Sequence, residues 1–341
     1  MTCGWRVALS SCGVTATLGR PQSRRPRPRA ASWTAAAGIL AGAAADALLG
    51  DPRHGHPVAL FGRAAQAAAD RVYADSRVRG VGYAAGCVLA ATGLAAVAQQ
   101  FTRGRPGLRL AATAAGVWTV IGARSLAAEA ERMHAALQAG DLAAARATLP
   151  SLCGRDPAGL DERELARATV ESMAENTCDA IVAPLVWGAV GGLPGLLGYR
   201  AVNTLDAMVG YRSPRYARFG WAAARLDDVA NWGPARLTGL LTVACAPAVG
   251  GRPDAVWRTM RRDGARHPSP NAGRCEAAFA GALGLRLGGA NAYGGVTEHR
   301  PGLGSGRAPE PEDIRRAARL CRAVTIATTV AAAVAAAIGK R

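Results

Sequence analysis

An all-α, multi-pass integral membrane protein is the fold class this sequence predicts, and three observations carry it. Half of the 341 residues are apolar, yet aromatic residues make up only 5%. The apolar weight is Ala, Gly, Leu and Val, small side chains that let helices approach closely in lipid, whereas a strand-rich chain would carry more Ile, Thr, Tyr and Phe. Residues 81–101 run without a single charge, long enough to cross the hydrocarbon of a bilayer. The acidic and amide side chains gather in segments that border the apolar runs, the arrangement of a membrane protein with amphipathic helices and polar loops.

Taken in order, residues 1–31 are basic and Pro-rich, ending in SRRPRPRA. They read as a disordered N-terminal extension, with one helical membrane domain over 32–341. Apolar windows follow at 33–49, interrupted only by Asp46, and at 81–101. Residues 110–123 form a shorter window with Arg109 placed to snorkel at its edge. Residues 180–199 are uncharged but interrupted by Pro184, Pro194 and glycines, and 237–251 and 323–339 are further uncharged stretches. Four of these windows are expected to span; the others are marginal. Between them, 124–179 is predicted to form amphipathic helices, with Gly140-Asp141 ending one and starting the next. By the positive-inside rule, Arg20, Arg24, Arg25, Arg27 and Arg29 place the N-terminus inside. Arg103, Arg105 and Arg109 do the same for the 102–108 turn. Loops 50–80 and 124–179 then fall outside, opposite to what a cytoplasmic substrate requires.

The formal net charge is +17, and nearly all positive charge is Arg because Lys340 is the only lysine. Standing beside the C-terminus, it leaves no lysine for a P-loop, a Schiff base or pyridoxal phosphate. No nucleic-acid-binding motif accompanies the basic excess, so it is assigned to membrane lipid and phosphorylated substrates. The eight cysteines contain no C-x-x-C pair, and several lie in apolar runs. Neither a zinc site nor a disulfide framework is expected.

Five segments can carry chemistry. The first, Gly50-Asp51-Pro52 followed by His54-Gly55-His56-Pro57-Val58, closes the first apolar helix. It is either a capped turn or a carboxylate and imidazole set at a membrane boundary. In the second, spacing of four puts Glu171, Glu175 and Asp179 on one helix stripe, with Asn176 beside them. Like charges so placed repel unless a cation sits among them, and a hydrated Mg²⁺ held by one or two carboxylates fits; a solvated acidic face is the alternative. In the third, Arg200, Asn203 and Asp206 recur every three residues. The fourth is Arg225-Leu226-Asp227-Asp228, with Asn231 and Arg236 following; adjacent aspartates suit Mg²⁺ and the arginines suit phosphate oxygens. In the fifth, Arg266 to Gly273, two prolines fix the backbone while Ser269 or Asn271 caps a helix that starts near Cys275. Gly288-Gly289 and Tyr293-Gly294-Gly295 read as turns, and Gly302-x-Gly304-x-Gly306 lacks the dinucleotide fingerprint spacing.

Together these segments resemble the membrane-bound CobD/CbiB family of cobalamin biosynthesis. The stretches that carry the resemblance are GDPRHGHPVALFGR at 50–63, the run from ESMAENTCDA to NWGPARL over 171–237, and HPSPNAGRCEAAFAGALGLRLGG at 267–289. The likeness covers roughly 38–320; the basic extension departs from it, and Gly55 is unexpected before the His-Pro-Val run. The resemblance implies an amide-forming ligase of the adenosylcobinamide-phosphate synthase type in the cell (inner) membrane. Its substrates would be adenosylcobyric acid and aminopropanol or its phosphate. ATP would activate the corrinoid propionate, with Mg²⁺ and no tightly bound organic cofactor. Other corrinoid-pathway membrane enzymes are expected partners.

That chemistry suggests roles for the residues. Glu175, Asp179, Asp227 and Asp228, with Glu171 nearby, are the Mg²⁺ candidates. Arg200, Arg225 and Arg236 are placed to hold phosphates. His56 or Asp51 would take the ammonium proton. Asn176, Asn203, Asn231 and Asn271, with Asp206 and Ser269, would orient substrate. Two rivals remain. A Mg²⁺-dependent membrane prenyltransferase would use Asn203-x-x-Asp206 and Asp227-Asp228-x-x-Asn231 for diphosphate, and a corrinoid transporter would line its path with the broken 180–199 segment.

Overall fold

A computed structural model describes residues 28–51, 55–211, 213–293 and 296–339. The predicted extension therefore lies almost wholly outside the described residues, as do Pro52, His54 and the Gly294-Gly295 turn. The elements, in order, are α1 (Pro28–Leu49), α2 (Pro57–Val72), α3 (Arg77–Phe101), α4 (Pro106–Val120), α5 (Ala123–Gln138), α6 (Leu142–Thr148), α7 (Glu162–Thr177), α8 (Ala183–Val209), α9 (Trp221–Cys245), α10 (Pro253–Asp263), α11 (Ala272–Leu283), β1 (Leu287–Tyr293), β2 (Val296–Leu303) and α12 (Pro311–Ile338). The first helix thus begins at Pro28, inside the segment assigned to the extension.

The helix starts follow from local chemistry. Proline occupies the first turn of α2, α4, α10 and α12, where a missing N–H costs nothing. Asp161 and Glu164 form a capping box at α7: Glu164 N donates to Asp161 Oδ1 at 2.8 Å and Asp161 N to Glu164 Oε2 at 3.0 Å. Asp141 caps α6 through Ala144 N at 2.9 Å, immediately after Gly140 as the sequence predicts.

Four helical stretches are long and apolar enough to cross a membrane: Arg77–Phe101, Pro106–Gln138, Glu162–Val209 and Pro311–Ile338; Trp33–Leu49 is a shorter apolar helix. The chain is a multi-pass helical membrane protein. Its first packing seam is made by absence of side chains. A methyl at Gly42 of α1 would lie 2.6 Å from Val117 Cβ of α4, and one at Gly38 would lie 2.6 Å from Thr113 Cβ. The Gly-x-x-x-Gly spacing therefore brings α1 and α4 into backbone-close contact.

The ends of the bundle differ. Ala35, Gln99, Thr102, Arg109, Gly192 and Ala336 meet around a narrow gap at one end. At the other, Trp118 Nε1 donates to Gly50 O at 2.9 Å, and Arg124 N donates to buried Asp46 at 3.2 Å. The beginning of α1 and the 102–108 turn thus share an end, and the loops after α1 and α4 lie at the opposite one.

Two departures from expectation matter. The 180–199 window is one arm of a continuous helical run from α7 to α8, not a separate element. It changes pitch through a π-turn at Cys178–Val182 and bends at Gly192, whose φ of 65° and ψ of −149° only glycine adopts freely. Pro184 falls in the first turn of α8 and is tolerated there, while Pro194 follows the bend. Second, Gly288-Gly289 is not a turn but lies within a strand. Leu287–Tyr293 and Val296–Leu303 pair antiparallel, Ala290 with His299 and Asn291 with Glu298. The 237–251 window is not among the stretches long and apolar enough to cross: it closes α9 and passes through a 3₁₀ turn at Ala246–Val249 into α10.

Candidate active site

The π-turn sets the geometry of the site. One extra residue in the turn rotates the carboxylates that precede and follow it relative to a regular α-helix, and such insertions recur at functional positions. The hydroxyl of Tyr199 donates to Asn231 Oδ1 at 2.9 Å, with the Asp179 carbonyl at 3.1 Å. Asn231 Nδ2 in turn donates to Asp227 Oδ2 at 3.0 Å. Asn203 Nδ2 stands between Asp227 Oδ1 at 3.4 Å and Asp179 Oδ2 at 3.5 Å. Two amides from different helices therefore hold one carboxylate of α9 opposite one of the π-turn. Burial pushes the Asp227 carboxyl above the usual carboxylate range, against these amide bonds.

Around this network lies a cavity of 360 Å³. Its walls come from the π-turn, α8, α9, the loop before α11 and strand β2. Six acidic residues line it: Glu175, Asp179, Asp206, Asp227, Asp228 and Glu298; Arg225 and Arg300 are the arginines among them. Arg225 Nη1 lies 3.4 Å from Asp228 Oδ2. Asn271 Nδ2 donates to the Asp228 carbonyl at 2.8 Å, which joins the fifth segment to the fourth. Ser269 Oγ accepts from Ala272 N at 3.1 Å and Asn271 N at 3.4 Å, so Ser269 starts α11 and also lines the cavity.

His267 also lines the cavity. Its Nδ1 lies 3.0 Å from Ser269 N and 3.3 Å from Ser269 O. Its Nε2 is buried without a hydrogen bond and lies 3.7 Å from Oε1 of Glu276. Burial, aided by the field of Arg300, lowers the His267 pKa to about 4. Burial first, then the fields of Glu171 and Glu175, pushes the Glu276 carboxyl well up.

The remaining predicted residues sit outside this cavity. Glu171 is buried, 2.5 Å from Arg155 Nη2, and its second oxygen accepts from Gly288 N at 2.7 Å. It ties α7 to the hairpin. Asn176 turns back on its own helix, donating to Ser172 O at 2.9 Å. Arg200 is half-buried in α8 and donates to Asn203 Oδ1 at 3.2 Å, behind the carboxylates. Arg236 stacks on Trp232, 4.1 Å from the ring centroid, and reaches Asn271 Oδ1 at 3.4 Å. Asp51 and His56 form their own pair at 3.8 Å; His56 caps α2 through Val58 N at 3.2 Å. The first segment does not line the cavity.

Four of the five segments therefore meet in one cavity. Residues the sequence reading passed over are Glu276, Glu298 and Arg300. Glu276 carried a signal, a lone acid inside the apolar run of α11. Glu298 and Arg300 carried none, because only the hairpin brings them to the wall. Among the described residues, no three His, Cys, Asp or Glu side chains are gathered closely enough to hold a metal ion by themselves. The donor set does fit a hydrated Mg²⁺ that keeps most of its waters and uses one or two carboxylates, with Asp227 and Asp179 facing each other across Asn203.

The family described as CobD/Cbib protein matches residues 39–321. The cobalamin biosynthesis protein CobD of Mycobacterium tuberculosis (strain H37Rv) is 54% identical over 296 residues, 86% of this chain and 94% of that protein. Proteins of the same name from Geobacter metallireducens and Chromobacterium violaceum are 46% and 44% identical, over 79% and 81% of this chain and 86% and 88% of their own length. No solved structure is significantly similar. The match runs from within α1 through the π-turn and the cavity walls into α12, and on that extent the chain belongs to the CobD/CbiB family of cobalamin biosynthesis proteins.

Proposed function

We propose that this protein is the amide-forming ligase that joins aminopropanol, or its phosphate, to the propionate of adenosylcobyric acid at the expense of ATP. The observation that supports the reading is the cavity itself: six acidic residues from four segments distant in sequence, gathered at one end of a membrane bundle. Such a surface favours a cation, and the amine substrate enters as an ammonium. Fixed dipoles at a water-poor site act far more strongly than in bulk water.

In this reading the propionate oxygen attacks the γ-phosphorus of ATP, releasing ADP and leaving an acyl phosphate. One proton passes from the ammonium to a base, the freed amine nitrogen attacks the acyl carbon, the acyl C–O bond breaks, and phosphate departs with the second N–H proton. Glu175, Asp179 and Asp228 hold the ammonium, and the carboxylate of this group nearest the nitrogen takes the proton. Asn203 and Asn231 fix Asp227. Asn271 and Ser269 present amide and hydroxyl groups to the corrinoid side chains. Mg²⁺, when bound beside Asp227, neutralises charge on the phosphates. Glu171 and Arg200 position the walls instead of touching substrate, a change of role from the sequence expectation. Asp51 and His56 pair with each other and lie outside the cavity wall. The cavity end is assigned to the cytoplasmic side of the cell membrane, where ATP is available. Arg77, Arg124 and Arg215 border that end, so arginine flanks both ends and its distribution does not oppose the assignment.

The test is a purified-protein assay with adenosylcobyric acid, ATP, Mg²⁺ and either aminopropanol or its phosphate. The expected product is the corrinoid amide with stoichiometric ADP, lost in Asp228→Asn and Glu175→Gln variants that remain folded. Full turnover in both variants would overturn the site assignment. Turnover of isoprenyl diphosphates, or corrinoid uptake without conversion, would replace the ligase reading.

A further inference from the structure

Beside the acidic cavity lies a second one of opposite character. It has a volume of 470 Å³ and is walled by Arg163 and Arg167 from the first turns of α7, Arg286 just before β1, and Arg300 from β2. Its floor is the glycine-rich base of the hairpin, Gly288, Gly289, Gly302 and Gly306. Arg300 lines both cavities, so its side chain is part of the wall between them.

The acids that share this second cavity are already committed. Asp161 and Glu164 are its only carboxylates, and one oxygen of each accepts a backbone N–H in the capping box of α7. Arg167 is fixed as a wall, donating to Gly288 O and to Ala290 O at 2.7 Å. Arg163 and Arg286 are exposed, and neither forms an ion pair among the described residues. The floor requires glycine at Gly288, whose φ is 87° and where a methyl would lie 2.3 Å from Pro301 O. Four guanidinium groups around a bare backbone floor match the geometry of phosphoryl oxygens, which arginine binds in two-pronged fashion. The volume lies within the range of small-ligand pockets, and the chain holds no lysine that could serve instead.

We propose that this arginine cavity binds the phosphoryl groups of a phosphorylated substrate, with Arg163 and Arg286 as the mobile clamps and Arg167 and Arg300 as the fixed wall. Its reactive end then reaches past Arg300 into the acidic cavity. Two sources share this chemistry: the polyphosphate of ATP and the phosphomonoester of aminopropanol phosphate. The proposal rests on the ligase reading only for that choice of ligands.

Equilibrium binding to the purified full-length chain, measured separately with ATP and with aminopropanol phosphate, distinguishes them. In the Arg163→Gln/Arg286→Gln double variant, affinity for one of the two probes is expected to fall roughly tenfold or more, and to recover partly in the corresponding double Lys variant. The probe that loses affinity identifies the source. Unchanged affinity for both probes, or wild-type protein that binds neither, overturns the proposal. A loss of binding in protein that makes no corrinoid amide leaves the phosphate site standing while removing the ligase reading. Amide formation with binding indifferent to both arginines does the reverse.

Discussion

His267 and Glu276 face each other in a closed pocket, imidazole Nε2 to carboxylate Oε1 at 3.7 Å, with the ring's other nitrogen engaged by Ser269 N. Burial acts on both groups in the direction of the uncharged form. The pair is therefore most stable as a neutral imidazole beside a protonated carboxyl.

This pairing predicts two opposite pH effects on stability. The His267 pKa falls from 6.5 to about 4 on folding, so the unfolded chain binds the extra proton between those values. Acidification through that window must destabilise the native state. The Glu276 carboxyl is raised on folding, so its contribution is fully present below the ordinary glutamate range and is lost as pH rises through its folded value. Thermal melting of His267→Gln should lack much of the decline that wild type shows from about pH 6.5 to 4. Glu276→Gln should keep that decline and weaken the loss on the alkaline side. Identical melting profiles for the wild type and both variants would show that the two groups titrate in the folded chain as they do in water.

Glu171 and Arg155 give a second prediction. Removing one partner of a buried ion pair leaves the other charge without compensation, at a cost of about 3–5 kcal/mol. Arg155→Ala should therefore destabilise the protein by roughly that amount, while Glu171→Gln, which still accepts from Gly288 N, should cost less. Glu171→Gln is expected to keep most amide-forming activity because the side chain is turned away from the cavity. A folded Glu171→Gln protein with no activity would return Glu171 to the chemistry.

That residue also shows where sequence reasoning stops. Spacing of four put Glu171, Glu175 and Asp179 on one helix stripe, but the π-turn and the arrival of Arg155 and Gly288 decide which of them face the cavity. These are contacts over long sequence separations and leave no periodic trace. The hairpin was illegible for a related reason. Its strands carry Gly288, Gly289, Asn291, Glu298 and Arg300 in place of an alternating apolar pattern, so no strand signal exists; Arg167 and Glu171 hold its base by bonding to the backbone. By contrast, the amide and carboxylate segments at 203–206, 227–231 and 269–271 were legible because each keeps its spacing on one short element. Their convergence needed only the fold to close.

The seam between α1 and α4 yields a third prediction. A methyl at Gly42 would lie 2.6 Å from Val117 Cβ and 2.5 Å from Ala114 O, so the helices must separate to admit it. Gly42→Ala should destabilise the bundle by about 1–3 kcal/mol, the usual cost of overpacking. Gly93 in α3 has open space around its Cβ position, and Gly93→Ala should be neutral or stabilising by up to about 1 kcal/mol, through helix propensity alone. Equal effects of the two substitutions in a denaturation series would remove the close-approach argument.

The last prediction concerns α9, which has two unlike faces. Asp227 and Asn231 point to the cavity, while Trp221, Val229, Trp232 and Leu240 lie on the other side and are exposed, Val229 by 72% and Trp232 by 59%. Successive separations of eight, three and eight residues return these side chains to nearly one face of a helix. Such a stripe in water would be an aggregation liability, and tryptophan beside arginine is the composition of a membrane–water boundary. Arg236 over Trp232 and Arg77 over Trp221 supply that pairing. The helix should therefore rest on the bilayer surface and support the cavity from below. In vesicles of lipid brominated on the acyl chains, a variant retaining only Trp232 should lose much of its fluorescence. One retaining only Trp187, which donates to Ala230 O at 3.0 Å behind α9, should lose less. A Trp232 left unquenched would place this face of α9 away from lipid.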